Sequence, residues 1–436
     1  MDGFDAAIGR TWTDERPGEF LTDLTAIGSR MGGSEGEARA AEIVADAFRD
    51  AGVRNVEQDP FEMQAWQRGD SSLRVRSPVE REFETIALPY SPAGEVEAEL
   101  VDAGYGTPEE IDELDVEGKI VVASTTTPEG GRFIHRMEKF GYAVGQGAEA
   151  FVFVNHVPGQ LPPTGSLTFG RQAEAPAVGV SKETGAWLTE LADDGAQAQL
   201  RVTADTTPGR SQNVVGRLGP ETDETVLVGA HVDGHDISQA ALDNGSGTAV
   251  LCEVARALAD READLDRRVT LIGFGAEELG LIGSTVYAND HELDDVVGIV
   301  NCDGAGRARD LLAKTCGFPG MRGVVESVAN DLTHPVRVVP GVNTHSDHWP
   351  FVQRGIPGVQ LHSETGSGRG FGHTYADTLD KADVRAIRDH AVLASLIVER
   401  LAARDPIARR DPKDIAAELR ADGLAEPMRV AGDWPY

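Results

Sequence analysis

From residue 211 onward the sequence settles into an alternation that fixes a fold class before any single residue is considered. Apolar strand-like runs, "ETVLVGAH", "RRVTLIGFGA", "VVGIVN" and "GVQLHSE", are separated by helical patterns such as "GTAVLCEVARALADRE" and "MRGVVESVANDL". A long amphipathic stretch, "VRAIRDHAVLASLIVERLAARD", closes the series. Strands alternating with helices predict βαβ units, and so an α/β fold whose mixed, mostly parallel central sheet carries helices on both faces. Ligands of such sheets bind outside the carboxyl ends of the strands.

Those carboxyl ends are where the polar residues gather. The first run ends in His231-Val232-Asp233, the second in Glu277-Glu278, and the third beside Asp303 of "NCDGAG". Asp243 opens a helix through "DNGSG", and His373 lies in the later loop "GFGHTYADTLD". Taken singly each has an ordinary explanation. A Glu-Glu pair starts many solvated helices, "DNGSG" and "CDG" read as turns or caps, and a loop histidine is commonly just exposed. Together they require five independent placements at one sheet edge, which chance does not supply.

Imidazole and carboxylate donors without thiolates suit zinc, with cobalt or manganese as substitutes. Five such ligand groups are too many for one tetrahedral catalytic ion that keeps a water. They suit two ions about 3.5–4 Å apart, bridged by a carboxylate, with a further carboxylate left to move protons. A serine nucleophile has no support, since "GRSQN" and "NGSG" lack the G-x-S-x-G elbow.

The remainder of the chain reads differently. At 436 residues two structural units are expected. "SEGEARAAEIVADAFRDAG" (34–52) has helical periodicity and a glycine stop, and "VRNVEQDPFEMQAW" follows as extended chain. From about residue 85 come short strand-like segments, among them "EAELVDAG", "GKIVVAS", "AEAFVFVN" and "AQLRVTA", parted by glycine and proline, as in a small β-rich domain. The expected division is 1–84 as the N-terminal part of the catalytic domain, 85–209 as the insertion, 210–403 as the catalytic domain proper and 404–436 as a tail with one helix, "PKDIAAELRADG".

The formal charge of −32 comes from 72 acidic residues against 40 basic ones, spread along the chain. Such a field repels nucleic acid and anionic membranes, so neither is an expected partner. It is tolerable in concentrated salt, where the Debye length falls to about 3 Å, and a halophilic protein is the expectation. There is no run of eighteen apolar residues, and the first twenty residues have neither a basic start nor an apolar block. A cytoplasmic location is therefore expected. Three cysteines, at 252, 302 and 316, fit small buried residues in a reducing compartment.

The motif set "HVD…DNGSG…EELG…CDG…SDHWPF…GIP…HTYADTLD" resembles that of the co-catalytic di-zinc aminopeptidases, metallopeptidase family 28, over residues 20–80 and 210–403. Residues 85–209 resemble the protease-associated domain often inserted in them. The resemblance implies His231 and Asp303 on one zinc, Glu278 and His373 on the other, and Asp243 bridging the two. It makes Asp233 the carboxylate behind His231, Glu277 the general base and acid, and peptides the substrates. Within "HSDHWPFVQRGIP", His345, Asp347 and His348 are expected to support the site rather than bind metal. Some relatives use an oxyanion-stabilising tyrosine near this loop; here the loop reads "GVNTHSDH", so Asn343 could donate instead or Tyr375 could reach in. His235 and Asp236 are expected at the pocket rim, and Asp377 and Asp380 as helix caps or as residues orienting His373.

An aminopeptidase is the expectation. A carboxypeptidase or dipeptidase would need a cationic receptor such as Arg354 or Arg369. A glutaminyl cyclase on the same fold would need one zinc, and a non-catalytic relative would have lost ligands that are present here. Oligomeric state is not legible in the sequence.

Overall fold

The computed structural model describes residues 3–159, 161–364 and 370–436. Two compact units emerge: Met1–Met63, Arg210–Gly368 and Asp377–Glu418 form the first, and Gln64–Gly209, Arg369–Ala376 and Leu419–Tyr436 the second.

The sheet of the first unit runs, by position, Val336–Val339, Leu311–Lys314, Gly358–Ser363, Val296–Cys302, Thr225–His231, Arg268–Phe274 and the C-terminal part of Gln197–Leu218. Gly358–Ser363, Val296–Cys302, Thr225–His231 and Arg268–Phe274 are mutually parallel. The flanking pairings of Arg268–Phe274 with Gln197–Leu218 and of Leu311–Lys314 with Gly358–Ser363 are antiparallel. This is the mixed, mostly parallel sheet expected. Thr225–His231 and Val296–Cys302 are buried at every position, as strands covered on both faces must be.

Helices supply that cover. Ser246–Ala259 and Val384–Ala403 pack on each other and on the central strands, and Arg16–Thr25 and Glu35–Asp50 pack on Ser246–Ala259. Elsewhere on the sheet, Phe274 meets Tyr287 of helix Ile282–Asp290 and Phe351 of helix Trp349–Val352, with ring centroids 6.5 and 6.3 Å apart. Helix Glu35–Asp50 starts where the sequence places it, because Ser34 Oγ accepts the Glu37 N–H at 3.1 Å. Among the described residues no helix is long and apolar enough to cross a membrane. All three cysteines are buried and free, and burial pushes each thiol up to about 12.

In the second unit the order is Gln197–Leu218, Gly94–Asp102, Ile120–Ser124, Ala150–Val154, Ala177–Val180 and Ile86–Ala87. The middle pairings are parallel, with helices Pro108–Asp112, Arg136–Gly145 and Lys182–Asp193 between strands. Ile120–Ser124 and Ala150–Val154 are buried at all but their last positions, so they are continuous apolar runs rather than alternating ones. Their core centres on Phe140, Phe151 and Phe153. Beside it the buried Lys139 donates from Nζ to the carbonyls of Ser124 and Thr126, and burial lowers its ammonium to about 8. The tail forms two helices, Pro412–Ala421 and Ala425–Ala431, one more than the sequence suggests; the second packs on Arg136–Gly145.

Candidate metal centre

Parallel registry aligns the strand ends. His231 lies opposite Phe274, and Gly229 opposite Asn301, so the residues following each strand leave the sheet at one edge. There His231 Nε2 stands 3.5 Å from Asp243 Oδ1, 3.9 Å from Asp303 Oδ1 and 3.9 Å from Glu277 Oε2. One donor atom from each of His231, Asp243 and Asp303 lies within 4.8 Å of the others. Asp233, two residues along the chain from His231, turns Oδ1 towards its Nδ1 at 3.4 Å.

Each carboxylate is held by its surroundings. Asp303 Oδ2 accepts from Ser346 Oγ at 2.5 Å and Gln360 Nε2 at 3.1 Å, which leaves Oδ1 to face His231. Asp243 sits in the tight turn Ala241–Gly245 that opens into helix Ser246–Ala259. Its neighbour Asn244 ties this turn to the next strand, accepting from Gly304 N at 3.1 Å and donating to the Cys302 carbonyl at 2.9 Å. Asp377 accepts the N–H groups of Leu242 at 2.6 Å and Asp243 at 3.0 Å, so it braces this turn rather than the helix after it.

The Glu277-Glu278 turn is fixed from two sides. Asp233 accepts both backbone N–H groups, Glu277 at 3.0 Å and Glu278 at 3.1 Å. Glu37, in the first turn of helix Glu35–Asp50, accepts the Ala276 N–H at 2.8 Å, where the backbone adopts φ +53°. Glu278 Oε2 lies 2.9 Å from His235 Nε2, and both side chains are buried. His235 is therefore not at a solvent rim: the chain turns back after Asp233 and carries the imidazole inward. Asp236, beside it, is half-buried.

That turn back is held by Arg30, which sequence reasoning passed over. Its wholly buried guanidinium donates to the carbonyls of Val232 at 3.2 Å, Gln239 at 2.7 Å and Ala240 at 3.0 Å. Burial lowers its pKa to about 10, with Asp377, Asp233 and Glu278 opposing.

His373 belongs to the second unit. There its backbone carbonyl accepts from Thr164 N at 2.9 Å, and its Nδ1 lies 3.2 Å from the Thr164 carbonyl. A protonated Nδ1 donating to that carbonyl makes Nε2 the lone-pair nitrogen, the tautomer a metal ligand needs.

The supporting residues divide. Asp347 and His348 are wholly buried; burial raises the first to about 7 and lowers the second to about 3. Asn343 donates to Gln360 Oε1 at 2.9 Å, Tyr375 is exposed, and Asp380 pairs with Lys381 at the surface. Arg354 donates to Asn289 Oδ1 at 2.6 Å and to the Pro350 carbonyl, so it is engaged elsewhere; Arg369 lies outside the described residues.

The electrostatics call for a cation. Burial disfavours a charged His231, yet Glu277, Asp233 and Asp243 overcome it and raise the imidazole well above its ordinary value. Burial holds the Glu277 carboxyl well above the usual carboxylate range, against the pull of His231 and with help from Asp347, Glu278 and Asp303. Four carboxylates around one imidazole, with side chains at most 15% exposed, are costly unless positive charge compensates. A divalent ion on nitrogen and oxygen donors fits that set.

A buried donor cluster at the carboxyl edge of a mixed α/β sheet, with a carboxylate poised beside it, has the make-up of a metallopeptidase centre. Residues 213–398 match the family model described as Peptidase family M28, and residues 96–188 match the PA domain, so the chain carries an M28 peptidase domain with a PA domain. The resemblance drawn from the motifs is borne out. Aminopeptidase YwaD of Bacillus subtilis is 28% identical over 91% of this chain and 85% of its own length. Carboxypeptidase Q of Bos taurus is 25% identical over 86% of this chain and 82% of its own. Among solved structures, BSAP, a zinc aminopeptidase from Bacillus subtilis, superposes with a TM-score of 0.70 at 27% identity, covering 90% of this chain and 96% of that one.

Proposed function

We propose that the chain is an aminopeptidase that hydrolyses the first peptide bond of substrates with a free N-terminus, using two zinc ions. The observation that carries this reading is the His231–Asp243–Asp303 cluster with Glu277 3.9 Å from the same imidazole nitrogen. The zinc aminopeptidase relative supports the choice of metal. His231 and Asp303 would hold one ion, Glu278 and His373 the other, and Asp243 both. Cobalt or manganese could take the same donors.

Bound zinc supplies Lewis acidity, which acidifies a water and polarises the scissile carbonyl. The protein's own part is proton transfer and orientation. Glu277 takes the proton from the attacking water and delivers it to the leaving amine, and its raised pKa suits a group that must both accept and donate. Asp233 holds His231 and the peptide planes of Glu277 and Glu278, so ligand and base keep one geometry. Carboxylates around the site attract the substrate ammonium, which selects a chain end.

The test compares matched peptides with free and N-acetylated termini, in molar salt. The free peptide is cleaved and the acetylated one resists; equal rates would sink the aminopeptidase reading and leave a peptidase. The choice of salt follows from the −32 charge, which supports a protein adapted to a high-salt interior. Full folding and activity in dilute buffer would count against that second point.

A further inference from the structure

Arg307 lies in the loop that follows Asp303, and no role falls to it in the proton transfers above. Its Nη2 is 3.3 Å from Asp243 Oδ2, and its side chain is only 16% exposed. Its Nε is shut off from solvent and has no hydrogen-bond partner among the described residues. A guanidinium buried this far ordinarily spends its donors on the protein, as Arg30 does on three carbonyls. Arg307 is held only by the single contact of Nη2 with Asp243, and a cation whose terminal nitrogens are so little engaged beside a substrate site has donors left for an anion from outside.

The loop is built to hold this side chain still. Arg307 N and Ala308 N both donate to Ser363 Oγ, at 2.9 and 3.2 Å. Gly306 N donates to His390 Nδ1 at 3.0 Å, and His390 Nε2 reaches the Arg309 carbonyl at 3.0 Å. Gly304 has φ +71°, and a Cβ there would stand 2.3 Å from the His362 ring, so the turn can close only with glycine. Such anchoring is more than charge balance at Asp243 requires.

From this placement we propose that Arg307 receives the C-terminal carboxylate of the substrate, which makes dipeptides the preferred substrate class. This rests on the aminopeptidase reading and narrows it. Distance selects the length: each residue extends a chain by about 3.5 Å, so a cation in contact with a candidate ligand carboxylate meets a terminal carboxylate one residue past the scissile bond, not several. Arginine is also the residue whose planar fork matches a carboxylate in two parallel hydrogen bonds. In a chain of net charge −32 with carboxylates lining the site, an anionic substrate end needs such a cation to approach at all.

The experiment compares a dipeptide as free acid and as C-terminal amide, and the matching N-acetylated acid, on the unmutated protein, R307K and R307M at equal zinc content. For the unmutated protein kcat/KM favours the acid over the amide by about 10- to 100-fold, the scale of a charge-assisted contact. R307M brings that ratio close to one, chiefly through KM, and R307K falls between. Calorimetric binding of a free amino acid against its amide gives a second readout: the preference for the acid disappears in R307M. A ratio near one in the unmutated protein, or one unchanged in R307M, overturns the proposal. A loss in R307M that is equal for acid and amide overturns it too, and assigns Arg307 to Asp243 instead. Cleavage of the acetylated dipeptide at the unacetylated rate would overturn the aminopeptidase reading separately, since the acid-to-amide ratio is measured independently of it.

Discussion

Asp233 Oδ1 accepts the backbone N–H of Glu277 at 3.0 Å while facing His231 Nδ1 at 3.4 Å, so one buried carboxylate links the candidate base to a candidate ligand. The link spans 44 residues of sequence and joins the ends of two neighbouring parallel strands. D233A removes both functions at once. Zinc affinity and kcat are each expected to fall about 10- to 100-fold, the range for carboxylates behind metal-binding histidines. Zinc titration with a competing chelator, alongside steady-state kinetics, measures the two separately.

E277Q keeps the size of the side chain and removes its proton chemistry. A loss in kcat of about 100- to 10,000-fold is expected, with zinc content unchanged, because the donors of the His231 cluster stay in place. Retention of near-normal kcat would move the base elsewhere.

Arg30→Met leaves two buried carbonyls, of Val232 and Ala240, and the part-buried carbonyl of Gln239 without their donor. Each unsatisfied group costs about 1–3 kcal/mol, so a destabilisation of about 3 kcal/mol or more is expected in denaturant unfolding. The same change frees the 232–240 segment, so zinc affinity falls with stability even though the three hydrogen bonds of Arg30 go to backbone carbonyls and not to a candidate ligand side chain.

His390 must be neutral to accept from Gly306 N, and burial holds it down at about 4, below its ordinary 6.5. The unfolded chain therefore takes up this proton first. Stability is fully present above about pH 6.5 and is lost as the pH falls towards 4, with a slope of up to about 1.4 kcal/mol per unit from this group. H390Q is expected to flatten that slope, as read from unfolding midpoints across the range.

The sheet and the gathering of polar residues at its edge were legible because both follow from local patterning. Buried parallel strands are apolar runs, and their carboxyl ends are forced to one edge, so His231, Asp243, Glu277 and Asp303 meet without long-range information. The roles of Arg30, Glu37 and Asp377 were not legible for a common reason. Arg30 acts on carbonyls 202 to 210 residues away, Glu37 on an amide 239 away and Asp377 on amides 134 and 135 away. Backbone partners of that kind leave no trace in spacing. His235 lies inward rather than at the rim because Arg30 folds the chain back after the strand, and spacing along the chain does not encode that turn. Arg307 was hidden in a loop whose shape depends on Ser363 and His390.

The central claim is that catalysis depends on a two-zinc site built by these residues. Adding zinc stepwise to chelator-stripped protein, while following both bound metal and cleavage of a free-amine peptide, tests it most directly. The expected result is no hydrolysis by the stripped protein and recovery that saturates at two zinc ions per chain. Undiminished hydrolysis without metal, or full activity at one ion per chain with no second binding step, would contradict it.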